Sequence, residues 1–146
     1  AEAGRFKLTP VELELDELVG KVAKKYRAQS KGHTIVADVA PNMPLVLADE
    51  ARITQVLGNL ISNAIKYSPE GGEIRIAGHT QPHEVVISVS DEGMGIAKED
   101  QAQLFNSFYR AEVATRRGIA GTGLGLYLSR VIVESHGGRI WVESDG

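Results

Sequence analysis

Apolar residues recur at helical spacing in three stretches of the chain. In the first they begin at Leu15 and repeat at i, i+3, i+4, i+7, i+8 and i+11, which predicts an amphipathic helix. The second follows Asp49, a favourable N-cap residue, and the third stops at the glycine pair 137–138, which is typical of a helix end. The predicted helices cover residues 15–31, 50–67 and 124–135, with a short one over residues 98–104.

Alternating apolar and polar residues, many of them β-branched, predict four strands between and after these helices. Residues 40–44 contain two prolines and are expected to form a loop. A polar turn at residues 79–83 joins two of the strands, which predicts an antiparallel hairpin. The predicted strands cover residues 33–39, 73–77, 85–90 and 139–143.

Length and composition indicate one ordinary globular domain. The chain has 146 residues, of which 42% are hydrophobic and 24% charged, so neither a disordered nor a membrane protein is indicated. No apolar stretch approaches the roughly 18 residues of a membrane span, and no signal peptide opens the chain. Cysteine is absent, which fits the cytoplasm, and a net charge of −3 argues against a nucleic-acid surface. Because the sequence lacks an initiator Met and stops directly after a strand-like run, we expect a fragment of a longer protein.

Residues 91–95 form the first candidate site, because a β-branched run leads a carboxylate into a glycine turn. A strand's period of two places Asp91 on the same face as the apolar row before it, so we expect this carboxylate at the buried end of a strand. A buried carboxylate needs a donor, and the exocyclic amine of adenine is a suitable one. Gly93 and Gly95 allow positive φ and let a flat ring approach the backbone. The alternative is a solvated turn that merely ends a strand.

The helix predicted over residues 50–67 carries a polar band beside its apolar stripe. At about 100° per residue, four polar side chains fall in line, with Tyr67 at the edge of the band. Two asparagines four residues apart indicate a function, since the Asn side chain competes with the helix backbone. The band consists of Arg52, Asn59, Asn63 and Lys66. Amides and cations in line suit phosphate and metal, and the alternative is a solvated flank.

A glycine-rich run, residues 121–125, leads into the last predicted helix. Free backbone amides and the helix dipole favour anions at a helix N-terminus, so this run is a candidate phosphate site. Its G-x-G-x-G pattern matches neither the P-loop nor the dinucleotide-binding fingerprint. The residues before it, about 105–122, include Arg110, Arg116 and Arg117, and we expect them to form a mobile lid.

Four segments together resemble the N, G1, F and G2 boxes of sensor histidine kinases. They occur in the order and rough spacing of that family, and the likeness extends over residues 10–143. The segments are residues 59–67, 91–95, 105–110 and 121–126. In the F box, Asn106 and Ser107 replace the acidic or polar pair that is more usual in the family. The chain therefore resembles the catalytic and ATP-binding (HATPase_c) domain of these kinases, within the GHKL superfamily of gyrase, heat-shock chaperone and mismatch-repair ATPases.

This resemblance implies a two-layer α/β sandwich of the Bergerat type, in which one mixed, mostly antiparallel sheet packs on three main helices beside a mobile ATP lid. It implies ATP and Mg²⁺ as ligands. By the same resemblance, Asp91 accepts a hydrogen bond from the adenine amine, Asn63 is the main protein ligand of Mg²⁺, and Tyr67 lies against adenine. Lys66 and Arg110 contact phosphate. Room for the nucleotide along the backbone comes from Gly93, Gly95, Gly121, Gly123 and Gly125. Thr122 and Leu124 of the same glycine-rich run are also predicted to bind the nucleotide.

Asn59 indicates which reaction this pocket would support. In the water-using ATPases of the superfamily, a Glu general base occupies the comparable place, and an amide cannot take a proton. We therefore predict phosphoryl transfer to a group held elsewhere, and the resemblance implies that this group is a histidine on a separate helical domain. Asn59, Lys66 and Arg110 are the predicted catalytic residues, which supply position and charge neutralisation.

No histidine of this chain fits the phosphoacceptor role. His83 is followed by a glutamate, as in the family's acceptor motif, but then by a strand-like run without the expected proline. His33 and His79 are expected at exposed loop or strand ends. His136 is expected to complement the dipole of the last helix. The acceptor is therefore predicted to lie outside this chain.

The predicted domain organisation and partners complete this interpretation. Residues 1–9 are interpreted as a linker from an absent dimerisation and phosphoacceptor domain, and residues 10–146 as the ATP-binding domain. The expected partners are ATP or ADP, the absent domain and, indirectly, a response regulator. Nucleic acid is not expected, and the fragment is expected to be monomeric, cytoplasmic and not inserted in a membrane.

Three alternatives stay open. An anti-sigma-factor-type serine kinase uses a similar pocket, and a nucleotide-sensing module could bind ATP and transfer nothing. A plain α/β scaffold whose glycine runs are only turns is the third.

Overall fold

The computed structural model describes residues 7–93, 95–106 and 125–144. The elements are β1 (Val11–Leu13), α1 (Leu15–Gln29), β2 (His33–Val39), β3 (Val46–Ala48), α2 (Glu50–Lys66), β4 (Gly72–Gln81), β5 (Glu84–Ser90), α3 (Lys98–Gln101) and α4 (Gly125–Ser135). The three long predicted helices are confirmed, each within two residues of its expected bounds.

Three of the strands, β2, β4 and β5, form a mixed sheet with β4 in the middle. β2 runs parallel to β4, with Ile35 opposite Ile74. β4 runs antiparallel to β5, with Ile76 opposite Val89, which confirms the predicted hairpin. Parallel neighbours need a crossover connection, and the chain between β2 and β4 supplies it with α2.

The core lies between this sheet and helices α1 and α2. Both helices turn their apolar stripes inward, so that Val19 of α1 and Ile61 of α2 are 0% exposed, and Ile76 of the sheet is 1% exposed. Burying one such side chain contributes about 1.5–3 kcal/mol relative to leaving it in water. This packing fixes which side of α2 faces the sheet and therefore where its polar band lies. The described residues thus confirm the predicted α/β class.

A two-stranded antiparallel ribbon, β1 with β3, was not predicted by the hydrophobic pattern. Each strand has three residues, which is too short to show a period of two, and Leu47 is 69% exposed. Leu13 and Ala48 are the buried members, and they join the main core. The ribbon thereby attaches the N-terminal segment beside the start of α2.

The strand predicted over residues 139–143 is wrong. Half-buried Ile140 and Val142 alternate with exposed Trp141, but this segment forms no β ladder with a described neighbour. Arg139 pairs with Glu84, the first residue of β5, at 2.9 Å. The alternating pattern of residues 139–143 therefore predicted correctly which side chains are exposed, but it predicted incorrectly that the segment forms a β ladder.

The short helix predicted over residues 98–104 ends at Gln101 and continues as turns. Among the described helices the longest, α2, has 17 residues, and none combines the length and apolarity needed to cross a bilayer.

Candidate functional site

The start of α2 is held through Asp49. Its Oδ1 accepts from the backbone N–H of Arg52 at 3.1 Å, which is the predicted N-cap bond, and its Oδ2 accepts from the N–H of Thr9 at 2.9 Å. These donors favour the carboxylate and lower the pKa of Asp49, with the Thr9 bond as the largest cause. The N-terminal segment is therefore tied to the helix that carries the polar band.

His136 joins the end of α4 to this same point. Its Nδ1 lies 2.8 Å from the carbonyl oxygen of Ile132, and because a carbonyl only accepts, Nδ1 carries the hydrogen. Its Nε2 then accepts from the backbone N–H of Asp49 at 3.0 Å. The expectation of a simple dipole partner is incomplete, since His136 bridges two helices.

The polar band divides into two ends. Arg52 lies about two turns of α2 before Asn59, and its Nη1 donates to the side-chain oxygen of Gln55 at 3.2 Å. Asn59 and Asn63 are half-buried, whereas Lys66 is exposed. In the part of the chain that the structure describes, the amide of Asn63 and the ammonium of Lys66 have no hydrogen-bond partner, so both groups are available to a ligand.

Asn59 connects α2 to α4. Its Nδ2 donates to the carbonyl oxygen of Gly125 at 3.3 Å and to Oγ of Ser129 at 3.3 Å. Gly125 is the last residue of the predicted glycine-rich run and the first of α4. The structure therefore brings the N-box helix against the end of the G2 segment, and Asn59 is not part of a solvated flank.

His33 fastens the region where α2 ends. Its Nε2 donates to the carbonyl oxygen of Ser68 at 2.7 Å, and its Nδ1 lies 2.8 Å from Oγ of Ser30, the C-cap of α1. Ser68 is buried and bonds back to the carbonyl of Ala64. His33 is the first residue of β2, as expected of a strand-end residue, but it is half-buried and not exposed, because both ring nitrogens contact other elements of the fold.

Asp91 is exposed, which corrects the expectation of a buried carboxylate. The half-buried row of β5 does end at Val89, but the strand stops at Ser90, so Asp91 lies one residue beyond the sheet. Its Oδ1 accepts from the N–H of Gly93 at 2.8 Å within the turn. Among the described residues, Oδ2 of Asp91 has no hydrogen-bond partner.

The two glycines of this turn serve different purposes. A Cβ at Gly93 would lie 2.2 Å from the carbonyl oxygen of Tyr67, so only glycine lets the turn approach the end of α2 this closely. Gly95 has φ of +73°, which L side chains rarely adopt. The N and G1 segments are therefore in backbone contact at Tyr67.

Two contributors to this region escaped the sequence analysis. Ser129 is 0% exposed, and the signal for it was a polar residue on the buried face of a predicted helix. Glu92 accepts from the N–H of Glu73 at 3.0 Å and so ties the turn to β4, for which the sequence carried no signal.

Several predicted site residues lie outside the described residues. These are Arg110, Gly121, Thr122, Gly123 and Leu124, together with Arg116, Arg117 and most of the predicted lid. From the F box, Asn106 is described, and its Oδ1 accepts from Nη1 of Arg130 of α4 at 3.4 Å.

The described residues do not form a metal cage of protein carboxylates and imidazoles. No group of three or more His, Cys, Asp or Glu side chains in this part of the chain could hold a metal ion. Mg²⁺, however, commonly uses one or two protein oxygens and takes its other ligands from water and phosphate. The free amide of Asn63 fits that kind of site.

The comparisons with known proteins agree with this geometry. Residues 48–146 match the model of the family described as histidine kinase-, DNA gyrase B- and HSP90-like ATPases. The chain is 49% identical over 98 residues to the sensor histidine kinase WalK of Bacillus subtilis, covering 66% of the chain and 16% of WalK. It is 39% identical over 138 residues to the adaptive-response sensory kinase SasA of a Nostoc species, covering 94% of the chain and 33% of SasA. The chain thus spans a third or less of these relatives.

Solved structures show the same fold. The catalytic domain of histidine kinase ThkA, in a nucleotide-free form, aligns with a TM-score of 0.81 at 31% identity, over 95% of this chain and 91% of that one. Full-length ShkA, solved in complex with AMPPNP, aligns with a TM-score of 0.77 at 28% identity, over 95% of this chain and 30% of that one. The chain therefore belongs to the histidine kinase-, DNA gyrase B- and HSP90-like ATPases, as an ATP-binding domain of the sensor histidine kinase type.

Proposed function

We propose that this domain binds Mg-ATP and donates the γ-phosphoryl group to a histidine on a separate helical domain. The observation that carries the proposal is the meeting of three predicted nucleotide segments at the C-terminal half of α2. There, Asn59 bonds to Gly125, and Gly93 lies against Tyr67. Segments far apart in sequence thus surround one helix end, whose Asn63 amide and Lys66 ammonium have no hydrogen-bond partner among the described residues.

Asp91 is proposed as the adenine-binding residue. One carboxylate oxygen is used by the N–H of Gly93, which fixes the orientation of the group, and the other is open to an exocyclic amine. A hydrogen bond to a charged acceptor contributes about 1.5–3 kcal/mol. The close approach of the turn to Tyr67 would leave a flat ring a narrow site beside the backbone.

Asn63 and Lys66 are proposed to face the phosphates. The Asn63 amide would supply one oxygen ligand to Mg²⁺, which when bound neutralises phosphate charge. Lys66, one turn further along α2, would add a positive charge. Arg110 and the glycine-rich run, residues 121–125, are proposed to complete the phosphate contacts.

The reaction is proposed to be transfer to an imidazole. A nitrogen of the acceptor histidine attacks the γ-phosphorus, a P–N bond forms, and the bond to the β-phosphate bridging oxygen breaks to release ADP. An amide at position 59 cannot remove a proton from water, so hydrolysis should be slow. The domain's contribution is position and charge neutralisation.

The partners of the whole protein belong to this proposal as well. Residues 1–9 would link the domain to the phosphoacceptor helices, a response regulator would receive the phosphoryl group later, and the domain would work in the cytoplasm as a monomeric unit. Among known structures, ThkA has been solved with the response regulator protein TrrA.

A phosphotransfer assay tests the proposal. The domain is incubated with γ-labelled ATP and Mg²⁺, with and without a separate helical domain that carries the predicted acceptor histidine. We expect acid-labile label on the acceptor histidine, none on the domain alone, and loss of transfer in Asn63→Ala. Label on serine would favour the anti-sigma-type kinase. Nucleotide binding without any transfer would favour a sensing module, and rapid hydrolysis by the domain alone would contradict the role given to Asn59.

A further inference from the structure

Ser129 is a fully buried polar residue where α4 packs against α2. It lies on α4, is 0% exposed, and comes one turn before Ile132, which is also 0% exposed. Its Oγ lies 3.3 Å from Nδ2 of Asn59. A buried hydroxyl without a hydrogen bond is costly, and this bond to a candidate catalytic side chain gives the hydroxyl a partner.

Gly125 fixes which way the Asn59 amide points. Its carbonyl oxygen can only accept, so the atom of Asn59 that lies 3.3 Å away must be the NH₂ nitrogen. Turning the amide over would set two acceptors against each other. With Gly125 and Ser129 as partners, both Nδ2 hydrogens are used on α4. Oδ1 has no hydrogen-bond partner among the described residues, so it is the atom of the amide left for a ligand.

We propose that Ser129 is a positioning residue that holds Asn59 with its oxygen toward the nucleotide site. The Asn59 atom that faces the nucleotide is then Oδ1, a hydrogen-bond acceptor. Oδ1 can bind a donor such as metal-bound water, but it cannot bind a phosphate oxygen, which is itself an acceptor. Because Asn59 also donates to Gly125, the same pair of bonds couples the amide's orientation to the position of Gly125 at the start of α4. This inference rests on the proposed function for its effect on ligand binding.

Affinity measurements on Ser129 variants test the positioning role. Calorimetry of ADP with Mg²⁺ is expected to show about three- to tenfold weaker binding for Ser129→Ala, the loss of one net hydrogen bond. Ser129→Cys keeps a γ atom that can still accept, although it is larger than oxygen and a weaker acceptor, and should give a smaller loss. Ser135→Ala is the matched control, because it removes a hydroxyl that bonds to Val131 of its own helix, and it should leave the affinity unchanged.

A double-mutant cycle separates positioning from a merely structural role. In an Asn59→Ala background, Ser129→Ala should change the affinity less than about 1.5-fold, since Ser129 acts through Asn59. The side-chain NH₂ signals of Asn59 in ¹⁵N NMR, assigned by their loss in Asn59→Ala, should shift in Ser129→Ala and not in Ser135→Ala.

The outcomes distinguish this inference from the proposed function. Three results would overturn the positioning role alone, provided that the wild type binds ADP normally. These are an unchanged affinity in Ser129→Ala, additive effects in the double-mutant cycle, and Asn59 NH₂ signals that do not shift in Ser129→Ala. Absence of nucleotide binding by the wild type would overturn the proposed function and the positioning role with it.

Discussion

Replacing Gly93 by alanine perturbs the contact on which the arrangement of the site depends. The new Cβ would lie 2.2 Å from the carbonyl oxygen and 2.9 Å from the carbonyl carbon of Tyr67, whereas real Cβ atoms essentially never approach closer than 3.0 Å. The turn and the end of α2 must therefore separate by at least 0.8 Å, and both partners are backbone. Forced backbone shifts of this kind typically cost about 1–3 kcal/mol.

Gly20→Ala is the matched control for this substitution. Gly20 lies inside α1, is exposed, and a Cβ there would meet nothing within 4 Å. Alanine in a helix interior is favoured over glycine by about 0.5–1 kcal/mol, so this variant should be more stable than the wild type. Replacing glycine by alanine is therefore expected to lower the free energy of unfolding at position 93 and to raise it at position 20.

Urea unfolding followed by circular dichroism measures both effects. Gly93→Ala should lower the midpoint and Gly20→Ala should raise it, with similar slopes. ADP affinity should fall about tenfold or more in Gly93→Ala, because the turn that carries Asp91 moves, and stay constant in Gly20→Ala. A Gly93→Ala protein with wild-type midpoint and affinity would refute the close approach at Tyr67.

Further predictions concern other contacts. Gly71→Ala should destabilise by about 1–3 kcal/mol, because φ is +91° and a Cβ would lie 2.4 Å from the carbonyl oxygen of Gly32; urea midpoints check this. The pKa of Asp49 is lower in the folded than in the unfolded protein, so the Asp49 carboxylate stabilises the fold fully above its unfolded pKa. This stabilisation is lost as the pH falls through the folded pKa, so acid should lower the free energy of unfolding more in the wild type than in Asp49→Asn. Arg139→Ala should change stability by less than about 1 kcal/mol, since the Arg139–Glu84 pair is exposed. Asn63→Ala should remove mainly the Mg²⁺-dependent part of ATP-analogue affinity, measured by calorimetry with and without Mg²⁺.

The long elements of the fold could be predicted because their periodicity is sustained. Helix α2 shows an apolar stripe over 17 residues, and β2 starts and ends at the residues that the alternation predicts. The strands of the β1–β3 ribbon have three residues each and show no such pattern. Residues 139–143 alternate in burial without a ladder in the described structure, so periodicity predicted the exposed side correctly but could not provide a hydrogen-bonded neighbour.

The sequence predicted which helix or strand face carries each candidate site residue, but it did not predict most of the contacts between those residues. The helical wheel placed Asn59 at the margin of a core face, but its partner Ser129 is 70 residues away, a distance that no local pattern spans. Asp91 was expected to be buried because the alternation was extended one residue past the true end of β5. Glycine chemistry predicted a close backbone approach in this turn, and the structure gives that approach to Gly93 and the positive φ to Gly95.

The most direct test of the nucleotide site is calorimetric titration of ADP, with Mg²⁺, into the wild type, Asp91→Asn and Asp38→Asn. Asp38 provides a matched loss of charge, because it pairs with Arg75 at 2.9 Å on the outer face of the sheet. We expect Asp91→Asn to weaken ADP binding tenfold or more, equivalent to about 1.5–3 kcal/mol, and Asp38→Asn to bind ADP like the wild type. Equal affinities for the wild type and Asp91→Asn, or no binding to the wild type, would contradict the nucleotide site assigned to this domain.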